Sequence, residues 1–112
     1  MKNNLKIGYV EPLWTLDQCI RLARHVETIL AEVKYHVGIG GGCLHNGESR
    51  KDADLIVYPH NGPEAKGVDD VIAHLERNGL TNFEKCDHGD YYDILVYRCY
   101  FNSKRVDVFF LK

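Results

Sequence analysis

At 112 residues, with 45% hydrophobic and 27% charged side chains, the chain has the make-up of one globular domain, 1–112, with no room for a second. Its 14 Lys and Arg against 16 Asp and Glu leave a net charge of −2, which excludes a general nucleic-acid coat held by long-range attraction to phosphates. No segment approaches a membrane span and Met1-Lys2-Asn3-Asn4 opens no secretory signal, so a cytoplasmic location is expected, with Cys19, Cys43, Cys86 and Cys99 as reduced thiols.

The first predicted element is a helix over 15–34. Thr15 and Gln18 have the spacing of a capping box. Leu16, Cys19, Ile20, Ala23, Val26, Ile29, Leu30 and Val33 then recur at intervals of three and four, one apolar stripe on an amphipathic helix. Pro12 limits its extension backwards, and Trp14 is expected to staple its start. A short β-like run, 35–40, dissolves into a loop at Gly40-Gly41-Gly42. After the turn signal Asn46-Gly47, residues 53–58 read as a buried strand closed by Pro59, and Gly62-Pro63 marks a loop. A second helix is predicted over 68–78, with Val68, Val71, Ile72 and Leu75 apolar and Gly79 as its C-cap. Two β runs, 91–101 and 106–111, flank a hairpin-sized connection, and 83–85 adds strand length ahead of the Asp87-His88-Gly89-Asp90 turn. This order predicts an α+β fold, a mixed β-sheet with helices packed on one face.

Asp52 and Asp54 stand two apart at the entrance to the predicted buried strand, so both carboxylates project to one face. Two like charges at one spot repel unless a cation neutralises them, and a hard ion such as Mg2+ suits oxygen ligands. The three preceding glycines free the main chain to approach a bulky group, commonly a phosphate. Asp107 lies between Val106 and Val108, a setting in which an unpaired carboxylate is costly. If its strand lies near that of Asp52, three carboxylates meet and can seat two ions.

The run Ile39-Gly40-Gly41, ten residues, Asp52-Ala53-Asp54 and then Leu55-Ile56-Val57 resembles the signature of the polymerase-beta-like nucleotidyltransferase superfamily. The resemblance covers about residues 15 to 111. It implies a minimal nucleotidyltransferase fold in which Asp52, Asp54 and Asp107 are catalytic residues and ligands of two Mg2+ ions. It further implies that Gly40 and Gly41 hold the triphosphate of an NTP, ATP among them, with Lys51 a further candidate for nucleotide binding. The activity implied is transfer of NMP to a hydroxyl on a protein side chain or an RNA end. The small size is similar to the minimal nucleotidyltransferases that act as antitoxins, with a cognate HEPN-type toxin as protein partner. Two features depart from the pattern: Gly41 stands where the family often has Ser, and no helical substrate domain follows Asp107. The alternative is therefore a non-catalytic binding module, an antitoxin, inhibitor or adaptor. RNA binding through the basic doublets Arg50-Lys51 and Lys104-Arg105 is not favoured, since both also read as solvated turns.

Other motifs have plainer readings. Gly42 to Ser49 has the glycine spacing of a P-loop, but Glu48 occupies the place of its lysine and would repel phosphates. Cys43/His45 and Cys86/His88 do not follow zinc-site spacings. Asp93 is a substitute for Asp107 or a charge at a strand start, and His45 a phosphate neighbour or a surface histidine. Tyr91, Tyr92, Tyr97, Tyr100 and Phe101 stack on a base or pack the sheet.

Overall fold

Thr15 and Gln18 cap the first helix as their spacing predicts. Gln18 N–H donates to Thr15 Oγ1 at 3.2 Å, and Thr15 N–H donates to Gln18 Oε1 at 3.0 Å. The structure, a computed structural model, describes residues 13–49, 52–60, 67–86 and 94–111. Helix α1 spans Leu16–Leu30 and a 3-10 turn, Ala31–Val33, continues it to Lys34, whose φ of 65° breaks the helix. Its buried face is Cys19, Leu22, Ala23, Val26, Ile29 and Leu30. Ile20, placed on the stripe by spacing, is 36% exposed, and Leu22 takes its place. Both residues fit a three-and-four pattern, and packing chose between them.

Strand β1 (Trp14–Thr15) pairs with β3 (Glu48–Ser49) in a two-stranded ribbon. The main sheet has five strands in the order β2 (Tyr35–Gly40), β4 (Ala53–Pro59), β7 (Lys104–Phe110), β6 (Leu95–Phe101), β5 (Leu80–Lys85). All neighbours are antiparallel except β4 and β7, so the sheet is mixed. From β4 the chain runs through helix α3 (Val68–Glu76) to the far edge, then meanders back until β7 lies against β4.

Alternation along the two central strands divides the sheet into two faces. Ala53, Leu55 and Val57 of β4 and Val106, Val108 and Phe110 of β7 are fully buried against α1 and α3. Asp54, Ile56, Asp107 and Phe109 are the intervening residues and point to the opposite face. The α+β architecture with helices on one face is as expected.

The structure corrects three local expectations. Residues 41–46 form a short helix, α2 (Gly41–Asn46), where a glycine loop was predicted. The second predicted helix stops at Glu76, with Arg77 as its C-cap; Gly79, at φ 103°, lies in the turn beyond. Strand β5 is an element of its own, with a register shift between Thr81 and Glu84 beside Asn82, which has φ 57°. The β6–β7 connection is only two residues long. Asn102 and Ser103 have φ of 51° and 65°, the left-handed pair that a tight hairpin needs. The Gly62-Pro63 loop and the Asp87–Asp90 turn lie outside the described residues. Among those described, no helix is long and apolar enough to cross a membrane.

Candidate active site

The parallel pairing of β4 with β7 creates the site. It puts Asp54 directly beside Asp107, on the face away from the helices. Asp52, two residues earlier than Asp54, reaches the same spot, its N–H held by Ser49 Oγ at 3.2 Å. One carboxylate oxygen from each of Asp52, Asp54 and Asp107 lies within 4.8 Å of the other two. Asp107 is only 8% exposed, while Asp52 and Asp54 are half-buried.

Electrostatics follow from this crowding. Burial, then the charges of Asp52 and Asp107, push the Asp54 carboxyl up to about 6, against a weaker opposing pull from Arg105. Burial and Asp52 likewise raise Asp107, with Arg105 and Arg98 acting against them. Arg98 Nε lies 3.6 Å and Arg105 Nε 3.8 Å from Asp107 Oδ1, and Arg105 Nη2 lies 3.6 Å from Asp52 Oδ2. These separations give charge compensation without good hydrogen bonds. Asp107 Oδ1 is buried with no hydrogen-bond partner, and so are the Nε atoms of Arg98 and Arg105 that flank it. Three converging carboxylate oxygen donors fit a hard divalent cation.

Gly41 touches the same cluster. It follows β2 at the start of α2 with φ +67°, and a Cβ built there would collide with the Asp54 carboxylate. Gly40 pairs with Asp54, and a Cβ on it would stand 3.1 Å from Ile56 Cδ1. Both glycines join Asp54, Ile56, Ile94, Phe109 and Leu111 around a depression of about 340 Å³. It is apolar apart from the carboxylate at its edge. A depression of about 350 Å³ beside Trp14, Leu22, His25 and Lys104 includes none of the three carboxylates.

Of the residues singled out in the sequence, Asp52, Asp54, Asp107, Gly40 and Gly41 therefore come together. Lys51 lies outside the described residues, as do Arg50, Tyr91, Tyr92 and Asp93. His45 is exposed while Cys43 is buried against Cys19, so that Cys/His pair does not converge. Tyr97 packs edge-on against Phe110 at 5.7 Å, and Phe101 packs beside His25, so these aromatics build the sheet.

Sequence reasoning missed the two arginines. Arg105 read as half of a solvated doublet, but its side chain faces Asp52 and Asp107. Its backbone is fixed by Trp14, whose Nε1–H donates to Arg105 O at 2.8 Å. Arg98 carried no motif; counting outward from a two-residue turn at Asn102-Ser103 puts it opposite Asp107.

The sequence matches no protein-family model and no curated protein. Solved structures do resemble the fold. A chain of the GLD-2/RNP-8 complex superposes with a TM-score of 0.62 at 16% identity over 85% of this chain and 40% of its own. A mutant of the Cid1 poly(U) polymerase bound to MgATP gives 0.60 at 14% identity, over 85% of this chain and 32% of its own. Polymerase beta of Leishmania infantum, in a ternary complex, gives 0.59 at 14% identity, over 96% of this chain and 45% of its own. The chain thus spans less than half the length of each of these matches. Together with the mixed five-stranded sheet, these likenesses show that the chain has the polymerase-beta-like nucleotidyltransferase fold.

Proposed function

We propose that the chain is a Mg2+-dependent nucleotidyltransferase domain that transfers NMP from an NTP to a hydroxyl acceptor. The observation that carries this reading is the convergence of Asp52, Asp54 and Asp107. Divalent metal bound there would supply positive charge that acidifies the acceptor hydroxyl and offsets the charge of the pyrophosphate leaving group. Asp52 and Asp54 are assigned as ligands of two ions, and Asp107 as a ligand of one. Asp107 also stands as the group that helps take up the acceptor proton. Gly40 and Gly41 expose main chain, without Cβ atoms, beside Asp54, and are assigned to the triphosphate; Lys51 is assigned there on sequence alone. The apolar depression bordered by Ile56 and Phe109 suits a flat base or the apolar part of an acceptor. The acceptor class is a protein side chain or an RNA end, and residues 1–112 are assigned to one such domain in the cytoplasm.

The test is transfer of label from each α-labelled NTP in the presence of Mg2+, to the chain itself and to added RNA and protein. Wild type is expected to label an acceptor, and Asp52→Ala/Asp54→Ala to leave only background. Equal labelling by both proteins would sink the catalytic assignment.

One observation favours a second reading, a non-catalytic module such as an antitoxin or adaptor for a protein partner. Arg98 and Arg105 bring two positive charges of the chain itself beside the carboxylates. If they are permanent counter-ions, calorimetry detects no Mg2+-dependent NTP binding. If the site is a metal seat, Arg105→Gln is expected to tighten nucleotide-free Mn2+ binding, on the order of thirtyfold at most. A unit charge about 4 Å from a divalent ion in water is worth about 2 kcal/mol, and that repulsion is what the variant removes. Electron paramagnetic resonance of free Mn2+ measures this directly.

A further inference from the structure

The end of the β2–β4 pair away from the carboxylates carries a second cluster of titratable side chains. His36, on β2, and His60, just after β4, bring Nε2 and Nδ1 to 2.8 Å from each other. His36 pairs with Tyr58, four residues along β2 from the Gly40–Asp54 pair. At the rise of a strand this separates the two clusters by about 13 Å.

Each member is held in place. Glu27, on α1, uses both carboxylate oxygens: Oε1 accepts Val37 N–H at 2.9 Å, and Oε2 accepts from His36 Nδ1 at 2.8 Å. Burial alone would push the Glu27 carboxyl up, but these two hydrogen bonds outweigh it and hold the group below its ordinary range. The His60 backbone N–H donates to Lys34 O at 2.7 Å. An acceptor on Nδ1 puts the proton of neutral His36 there, which leaves the Nε2 lone pair aimed at His60. A carboxylate that fixes one imidazole nitrogen and bares the other is how ligating histidines are oriented.

We propose that His36 Nε2 and His60 Nδ1 form a binding site for a borderline divalent transition-metal ion such as Zn2+ or Ni2+, with Glu27 positioning His36. In the metal-free protein, His60 Nδ1–H donates into the His36 lone pair. On binding, neutral His60 moves that proton to its Nε2 through solvent, and no proton is released overall. Nitrogen ligands at about 2.0–2.1 Å from a tetrahedral ion stand roughly 3.3 Å apart, so the two rings must separate by roughly half an ångström. His60 is exposed, and its side chain can take up that shift. Imidazole nitrogens select such ions over Mg2+, which demands oxygen ligands. The neighbouring cavity, about 190 Å³ and lined by Glu27, Lys34, Tyr35, His36 and His60, leaves the remaining coordination positions to water or a small ligand.

Calorimetric titration with ZnCl2, in excess Mg2+ to occupy the carboxylates, tests the site. One equivalent is expected to bind wild type and the Asp52→Asn/Asp54→Asn variant alike. Binding is expected to vanish in His60→Gln and in His36→Gln, and to weaken about tenfold or more in Glu27→Gln. His60 is exposed, so its substitution leaves the fold intact, and circular dichroism checks this. Titration of Co2+ adds a ligand-field spectrum that reports nitrogen coordination. Zn2+ binding that survives both histidine substitutions, or that disappears in the aspartate variant, overturns the proposal. So does a wild type that binds no Zn2+ at submillimolar concentration.

Discussion

Asp54→Asn is expected to abolish nucleotidyl transfer while making the metal-free protein more stable at neutral pH. The two effects have one cause. Asp54 shares a half-buried site with Asp52 and Asp107, and its carboxyl is pushed up to about 6 by burial and by those neighbours. The folded-state value lies above the ordinary value of 3.8, so protonation favours the folded state. That contribution is fully present below the unfolded value. It is lost as pH rises through about 6, so at pH 7.5 the metal-free chain keeps the carboxylate ionised at a cost. A shift of this size corresponds to about 1–3 kcal/mol, since each unit is worth about 1.4 kcal/mol and the site is partly solvated.

Asparagine mimics the protonated carboxyl in size and charge. Thermal unfolding at pH 7.5 in chelator should therefore show a higher Tm for Asp54→Asn than for wild type, by roughly 5 °C. Over pH 4 to 6.5 wild type should lose stability relative to the variant. Mg2+ should reverse the order, raising the wild-type Tm and leaving the variant unmoved. Transfer should fall by about a thousandfold or more, because several kcal/mol of charge stabilisation depend on the ligand set. A loss of activity joined to a gain in stability cannot come from misfolding. An Asp54→Asn protein that is less stable than wild type in chelator would show that the three carboxylates do not repel one another.

How much of this was legible in the sequence depended on how local the cause was. The capping box and apolar stripe of α1 are local, and only the choice between Ile20 and Leu22 needed the sheet. Helix α2 was not legible, because glycines at its first two positions have poor helix propensity. Packing supplies what propensity lacks: Cys43 is buried on Cys19, and Leu16 N–H donates to Gly47 O at 2.8 Å. Asn82, with its left-handed φ, interrupted the alternation that would have marked β5. The pairing of Asp52 with Asp54 followed from the two-residue period of a strand. Asp107 did not, since its place depends on β7 returning to lie parallel to β4 after three intervening elements. The arginines were hidden for a related reason. A charged residue reads as solvated until the strand opposite it is known, and Asp107 is that neighbour for Arg98.

The glycines show where reading by composition fails most sharply, and they carry the second large expected effect. In sequence, Gly40, Gly41 and Gly42 are equivalent, three positions without a Cβ. In the fold they are not. A Cβ at Gly42 would meet Glu48 O at 3.5 Å and Ser49 Cβ at 3.6 Å, which are ordinary contacts. At Gly40 it would press on the Ile56 side-chain tip, which can give way. At Gly41 it would enter the space of the Asp54 carboxylate, on a backbone with φ +67°. Gly41→Ser would restore the residue that the resemblance leads one to expect. It is nonetheless expected to cost about 2–3 kcal/mol, of which roughly 1–2 is the left-handed conformation and the remainder the displaced carboxylate. Because the displaced group is Asp54, transfer should fall as far as in Asp54→Asn, but here stability falls with it. Gly42→Ala should stay within about 0.5 kcal/mol of wild type and retain activity. Denaturant titration and labelling assays on the two variants measure the contrast. A stable, active Gly41→Ser protein would mean that Gly41 does not hold its left-handed conformation against Asp54, and the close approach of that main chain to the carboxylates would go with it.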